Sequence, residues 1–525
     1  MSEARVEDKH LRGGRFVLVC VSGFLFLGIF NIMHHVMWRD ELEAWMMARD
    51  ASTLGELFNN IRYQGHPALW FLTLYALSAI TPNPLIMQIA HLAIAVGVVY
   101  VAVRSAPFTK LQKVLFIFGY YPFYEYCVIS RNYSYGLLLL FIFLSLFRPG
   151  IKDKNYIYLS IVLFFLCQSN PYGAVIAIAL FLMLIFELIF SRDKAATISS
   201  KEKWALAAGI VIFTCGLLIS AIQMHPPHDS FFYHPPGDMR LTLNNFFGSI
   251  ACIWSACIPI PMVTMQFWGS NVITYIITDP GREAAVRFFL SMAIVTISSI
   301  VLLRRPVALF YYAAGTFGII LFNYVIYAGA IRHIGHYFIV FVSAIWISNL
   351  YDEKSSETGV LNQRYELFDA AKNVFFTVVL VSNVIAGVAA NTLGHLYPFS
   401  ANKETAMYIK TNGLDKMPIL GDPDCVASGV AAYLTRPIYY PATQRHATFV
   451  TWDNKRQRYG PRTILAAAEQ YALNEKKDIL LVLNYPIDPD SLAGYGGNVH
   501  FVKAFAGSVL IDEKFCLYIM KYAHH

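Results

Sequence analysis

Charge is what this sequence has least of. Only 14% of its 525 residues are Asp, Glu, Lys or Arg, against 56% hydrophobic, whereas soluble domains carry roughly 25% charged residues. That excludes an ordinary water-soluble globule for most of the chain. Cysteine is sparse and unpatterned, eight residues without metal-ligand spacing. Cys252 and Cys257 lie in an apolar stretch and read as packing; Cys425 and Cys516 would pair only in an oxidising compartment. The first apolar run lacks a small-residue cleavage signature, so it reads as a retained span rather than a signal peptide. Internal repeats are missing too. The net charge of +7 resides mostly in short loops between apolar runs, where it fixes topology, so nucleic acid is not an expected partner.

What the chain does have is length of apolar sequence. Runs near 15–36, 85–103, 112–128, 133–148, 155–168, 172–190, 204–222, 286–303, 307–328, 336–351 and 373–391 predict an α-helical polytopic membrane protein of about eleven spans. Residues 1–391 form this membrane domain, and 392–525 return to ordinary composition as a soluble domain. The linkers holding Arg104, Lys110 and Lys113; Arg148, Lys152 and Lys154; Arg192, Lys194, Lys201 and Lys203; Arg304 and Arg305; and Lys354, Arg364 and Lys372 are all basic. They predict a cytoplasmic N-terminus, an extracytoplasmic C-terminal domain and a plasma (inner) membrane location. The run 67–81 breaks this pattern if it spans. It is short and ends at Thr81-Pro82-Asn83-Pro84, so it is expected to dip into or lie along the outer face. Segments 37–84, 129–132, 169–171, 223–285 and 329–335 then share one side.

The polar chemistry falls in those segments. Trp38-Arg39-Asp40-Glu41-Leu42-Glu43-Ala44-Trp45 follows the first span, with Asp40 and Glu43 on one helix face. A carboxylate partly desolvated at the membrane boundary suits a general base; Arg39 would partner or bind substrate. Arg62-Tyr63-Gln64-Gly65-His66-Pro67 places His66 in a turn at the bilayer surface. Glu125 and Arg131 sit near span ends, where ionisable residues are costly and mark function. Arg332-His333-Ile334-Gly335-His336 is expected as a short turn between spans, its cations and donors suited to a phosphate. His225, His228 and Asp229, followed by His234 and Asp238, lie in a long loop read as a lid or acceptor-binding element. The prolines hold that loop extended and it has no i,i+4 ligand pair. No metal site is assigned and no cofactor is certain, with a divalent metal left open.

In this order and on this side, Asp40-Glu41 after the first span, Gly65-His66-Pro67-Ala68-Leu69, the basic 104–113 linker, the Arg131 corner and Arg332-His333-x-Gly resemble the GT-C superfamily of polyprenyl-phosphate-sugar glycosyltransferases. The likeness is greatest to bacterial protein O-mannosyltransferase-like and aminoarabinose transferase-like members, and covers about residues 15–391. The resemblance implies an inverting displacement with Asp40, or its neighbour Glu41, as base. It also implies a polyprenyl-phosphate-sugar donor held by Arg131, Arg332, His333 and His336, and a glycan, lipid or protein acceptor among membrane lipids. Such enzymes often carry a second acid where this chain reads Ser130-Arg131-Asn132, so either Glu125 takes that place or the role is absent.

The C-terminal segment alternates helices (404–412, 426–434, 462–474) with strands (417–421, 437–441, 478–484), then strands near 499–505, 507–511 and 515–521. That order predicts an α/β domain. Gly421-Asp422-Pro423-Asp424 follows a strand but is not a nucleotide-binding fingerprint, so an acceptor-gripping or partner-binding cap is expected. The competing readings are a transporter or flippase for lipid-linked glycans and a non-catalytic subunit of an envelope polysaccharide assembly complex.

Overall fold

The computed structural model describes residues 2–150, 154–190, 199–233, 241–351, 360–495 and 497–522. Among the described residues, eight stretches are helical, long and apolar enough to cross a bilayer: Gly13–His34, Leu85–Ser105, Pro171–Phe190, Ser200–Met224, Pro280–Leu302, Pro306–Val325, Ile331–Leu350 and Leu367–Leu396. The chain is a multi-pass membrane protein.

Three predicted spans turn out shorter. Residues 133–148 and 155–168 yield helices Tyr133–Leu146 and Tyr156–Cys167, about 21 and 18 Å long at 1.5 Å per residue. The run 112–128 is broken. A helix over Lys110–Ile117 stops at Phe118, and a π-turn follows over Tyr121–Glu125, with Pro122 at its start. Gly119 there packs tightly against Asn383. Hydropathy is blind to such a break, because both halves are apolar. The run 67–81 forms only Leu69–Ser78, about 15 Å and half of a ~30 Å hydrocarbon core.

The site is built from α1 (Ser2–His34), α2 (Arg39–Arg49) and α3 (Ile331–Leu350). Helix α3 is buried from Ile331 to Ser348. Sequence reading put Arg332, His333 and His336 in an inter-span turn; they lie in the first turns of α3 instead. The turn belongs to Gly329, whose φ is +77°. An unanticipated helix, α4 (Leu243–Cys257), lies within the long 223–285 segment. Thr242 caps it by accepting from Asn245 N–H, and Tyr337 of α3 donates to its Ser249 carbonyl at 3.1 Å.

The loop segments segregate to opposite ends of the bundle. At one end Ser130 N–H donates to Glu41 (2.7 Å), Asn132 to the Ser169 carbonyl (3.1 Å), and Ala68 N–H to Gln223 (2.8 Å). At the other, Lys113 donates to the Val103 carbonyl (2.7 Å) and Asn349 to that of Pro107 (3.0 Å). Lys154 there pairs with Glu187, and Asp369 with Arg304 and Lys372. The basic linkers thus share one end and the chemistry-bearing segments the other. Lys152, Arg192, Lys194 and Lys354 lie outside the described residues.

The last span ends at Leu396, and a six-stranded sheet follows, in the order β3-β2-β1-β4-β6-β5. These strands are β1 (Ile419–Asp422), β2 (Ile438–Tyr440), β3 (Arg445–Ala447), β4 (Ile479–Leu483), β5 (Val499–Phe505) and β6 (Phe515–Met520). Strand β1 pairs in parallel with β2 and β4, and the outer pairs are antiparallel, a small α/β layer as expected. Residues 507–511 are not a strand. They hydrogen-bond back to the chain leaving the last span, Val509 N–H to the Pro398 carbonyl (2.9 Å) and Leu510 N–H to that of Phe399 (3.2 Å). Strand β3 was not anticipated. Cys425 and Cys516 are both free.

Candidate functional site

Four residues separate α1 from α2, and the first N–H groups of α2 need acceptors. Glu41 supplies one: its Oε2 accepts from Trp38 N–H (3.2 Å), a helix-capping contact. The same oxygen accepts from His35 Nε2 (2.8 Å) and Oε1 accepts from Ser130 N–H (2.7 Å). Glu41 is fully buried. Both of its oxygens rivet α1, α2 and the 126–132 corner together.

Asp40, one residue earlier, points elsewhere. Its side chain is 23% exposed and Oδ2 accepts from Arg332 Nη2 at 2.8 Å. Arg39 Nε lies 3.8 Å from Oδ1, and Arg131 Nη1 donates to the Asp40 backbone carbonyl. Burial alone would raise the Asp40 pKa, but the charges of Arg332, Arg131 and Arg39 outweigh it and hold the carboxyl below its ordinary value. Next to it, His66 lies 3.4 Å from Asn132 Nδ2. Burial, then Arg131 and Arg332, push its pKa down to about 3, so the imidazole is neutral.

Arg332 is clamped. Its guanidinium lies over the indole of Trp38 at 5.0 Å and of Trp268 at 5.6 Å, each a cation–π contact. Trp268 N–H donates to Glu125 Oε2 (3.0 Å), which also accepts from Tyr120 (2.9 Å). Glu125 is buried, and its Oε1 has no hydrogen-bond partner among the described residues. The same holds for four other buried atoms around Asp40: Nε of Arg131, Nε of Arg332, Nε1 of Trp38 and Oδ1 of Asn132. Buried polar groups are rarely left unpaired, and three of those four are N–H donors. An acceptor, most naturally an anion, would satisfy them.

The histidines of α3 are engaged within the bundle. Ala330 N–H donates to His333 Nδ1 (2.8 Å), which leaves the proton on Nε2 to donate to Tyr133 Oη (2.8 Å). His336 Nδ1 donates to the His333 carbonyl (2.8 Å), and its ring stacks on Tyr172 at 4.7 Å. Gly335 between them allows close approach, since a Cβ there would strike the Tyr121 ring and the Tyr126 hydroxyl.

Other expected site residues face the C-terminal domain. Arg39 donates from Nη1 to Asp512 Oδ2 (2.5 Å) and from its backbone to Glu513 Oε1 (3.0 Å). Glu43 accepts from Trp452 Nε1 (2.9 Å) and Gln64 (3.3 Å). Burial, then the Asp40 charge, push its pKa up to about 7. Arg62 is exposed beside Tyr63, whose hydroxyl donates to Asp229 at 3.1 Å. His225 and His228 are exposed, and His228 packs on Tyr233. The chain from 229 to 232 is stitched to the C-terminal domain, Phe231 N–H to the Trp452 carbonyl (2.8 Å) and Asn454 N–H to that of Asp229 (2.7 Å). Among the described residues no three His, Cys, Asp or Glu are grouped to hold a metal ion; His234 and Asp238 lie outside them.

Asp40, His66, Arg131 and Arg332 therefore gather at one end of the bundle. Glu125 lies behind Trp268, and His333 and His336 lie deeper. Sequence reasoning missed Trp268, Tyr133, Asp512, Glu513 and Trp452. Only Trp268, an indole within the long 223–285 segment, carried a local signal. No protein-family model matches this chain, and no curated protein matches it. Among solved structures it is similar to one of ArnT from Cupriavidus metallidurans bound to undecaprenyl phosphate. That match covers 96% of this chain and 97% of the other, at 11% sequence identity and a TM-score of 0.46.

Proposed function

We propose that the protein is a GT-C-type membrane glycosyltransferase that moves a sugar from a polyprenyl-phosphate donor to a hydroxyl or amine acceptor. The observation that carries this reading is the Asp40 carboxylate beside two guanidiniums with unpaired buried N–H groups, at the bundle end where a lipid headgroup would lie. Of the two rival acids, Asp40 is partly open and Glu41 is sealed by its three donors.

In the proposed reaction Asp40 takes the acceptor proton as the acceptor oxygen or nitrogen attacks the anomeric carbon. The bond from that carbon to the phosphate oxygen breaks with its electron pair, and the anomeric configuration inverts. Before the step, Asp40 and a phosphodiester each carry one negative charge. Afterwards Asp40 is neutral and the phosphomonoester carries two. Arg131 and Arg332 face the same total at both ends, so the charge that moves never leaves their field. The low pKa makes Asp40 a weak base in the resting state; as phosphate neutralises the guanidiniums, its basicity rises. Glu43, Trp452 and Gln64 flank the acceptor side, and the C-terminal domain serves as a cap. The basic linkers at the far end support an orientation with this site outside the plasma membrane. Incubating purified protein with a panel of polyprenyl-phosphate sugars tests the proposal: release of free polyprenyl phosphate from one donor supports it, and inertness toward all contradicts it.

A further inference from the structure

The guanidinium of Arg332 lies against two indoles, Trp38 at 5.0 Å and Trp268 at 5.6 Å, and its N–H donors all point outward along its edge. Its Nε and Nη2 hydrogens form one side of that edge, a fork that matches two oxygens of a carboxylate or phosphate. Here the fork is half used. A single oxygen of Asp40 sits on Nη2 at 2.8 Å, and Nε–H is buried without an acceptor. Arg131 also has an unpaired Nε, while its Nη1, outside that fork, donates to the Asp40 backbone carbonyl. The backbone of Asp40 is anchored at the start of α2, whose cap is riveted through Glu41, so its side chain is the part that changes partner.

We infer that, before donor binds, Asp40 occupies half of the donor phosphate's seat on Arg332, and that the phosphate enters by displacing this carboxylate. The inference rests on the glycosyltransferase reading above and adds how its site is gated. The phosphate takes Nε and Nη2 together, and Asp40 is released toward the acceptor only once donor is seated. A free carboxylate is thus supplied when there is a sugar to transfer, and the resting site stores it as an internal counter-ion. Arg332 keeps its contact with the two indoles, and the anions exchange on the same cation.

The experiment measures binding of undecaprenyl phosphate to purified full-length protein in detergent, with unfolding temperatures recorded for each variant. Asp40→Asn removes the competing charge and is expected to bind the lipid more tightly than the wild type, by about tenfold, equivalent to ~1.4 kcal/mol. Asp512→Asn removes a carboxylate held by Arg39 rather than Arg332, and is expected to shift affinity less than about twofold. Tighter binding by Asp40→Asn alone supports the exchange. Equal or weaker binding by Asp40→Asn, with wild-type binding intact, overturns the exchange but leaves the phosphate site standing. Binding by neither protein overturns the phosphate site and the exchange together.

Discussion

Replacing Glu513 by Gln isolates the forces that dock the C-terminal domain onto α2. Glu513 is fully buried; its Oε1 accepts from Arg39 N–H and its Oε2 from Asn402 Nδ2 (2.8 Å). Burial outweighs the attraction of Arg39 and pushes the carboxyl up to about 8, against ~4.3 in solvent. The docked state therefore holds a proton that the undocked state releases. Docking strength is full below the solvent value and falls as pH rises, until the carboxyl ionises in place near pH 8. Each pH unit inside that window removes about 1.4 kcal/mol. Glu43, at about 7 in the same interface, adds a slope of the same sign that ends near pH 7. Between pH 7 and 8.5 Glu513 acts nearly alone, at roughly 1–2 kcal/mol. Gln fits the same place, because the Asn402 Oδ1 is buried without a partner, and an amide flip lets it accept from the new NH2. Hydrogen exchange at Val509 and Leu510, whose N–H groups bind the Pro398 and Phe399 carbonyls, reads the opening equilibrium after correction for intrinsic rate. The wild type should open more easily from pH 7 to 8.5, and Glu513→Gln should be flat there. An equal slope in both proteins refutes the reasoning.

Arg332→Ala removes the fixed cation and should lower sugar transfer about 10²- to 10³-fold; Arg332→Lys, with the charge but without the planar fork, should recover only part of it. Gly335→Ala drives a methyl into Tyr121 and Tyr126 and should destabilise the bundle by about 1–3 kcal/mol, read as a lower unfolding temperature in detergent. A cysteine in place of exposed Lys110, at the end opposite Asp40, should be shielded from an impermeant thiol reagent in intact cells and labelled after permeabilisation.

Much of the architecture could be read from the sequence, because burial in lipid demands long apolar runs and leaves basic residues in the linkers of one end. Where that demand is weak, the reading slipped. The 112–128 run is apolar on both sides of its break at Phe118, so composition hid it. Helix α4 carries Asn244, Asn245 and Ser249 among apolar residues and so resembled loop. The start of α3 was mistaken for a turn because Arg332, His333 and His336 are costly inside a bundle; Tyr133, Tyr172 and Trp268 make them tolerable there, and none of these is a sequence neighbour. The gathering of Asp40, His66, Arg131 and Arg332 followed from putting their segments on one side. The role of Arg39 did not, since its partners Asp512 and Glu513 lie more than 470 positions away.

Sugar transfer by Asp40→Asn and Glu41→Gln, each set against the wild type with the same polyprenyl-phosphate sugar, tests the central claim most directly. Unfolding temperature in detergent accompanies each measurement. Asp40→Asn should insert and fold normally and lose transfer, whereas Glu41→Gln should lose stability first and retain transfer in whatever fraction folds. Transfer that survives in folded Asp40→Asn would contradict the account.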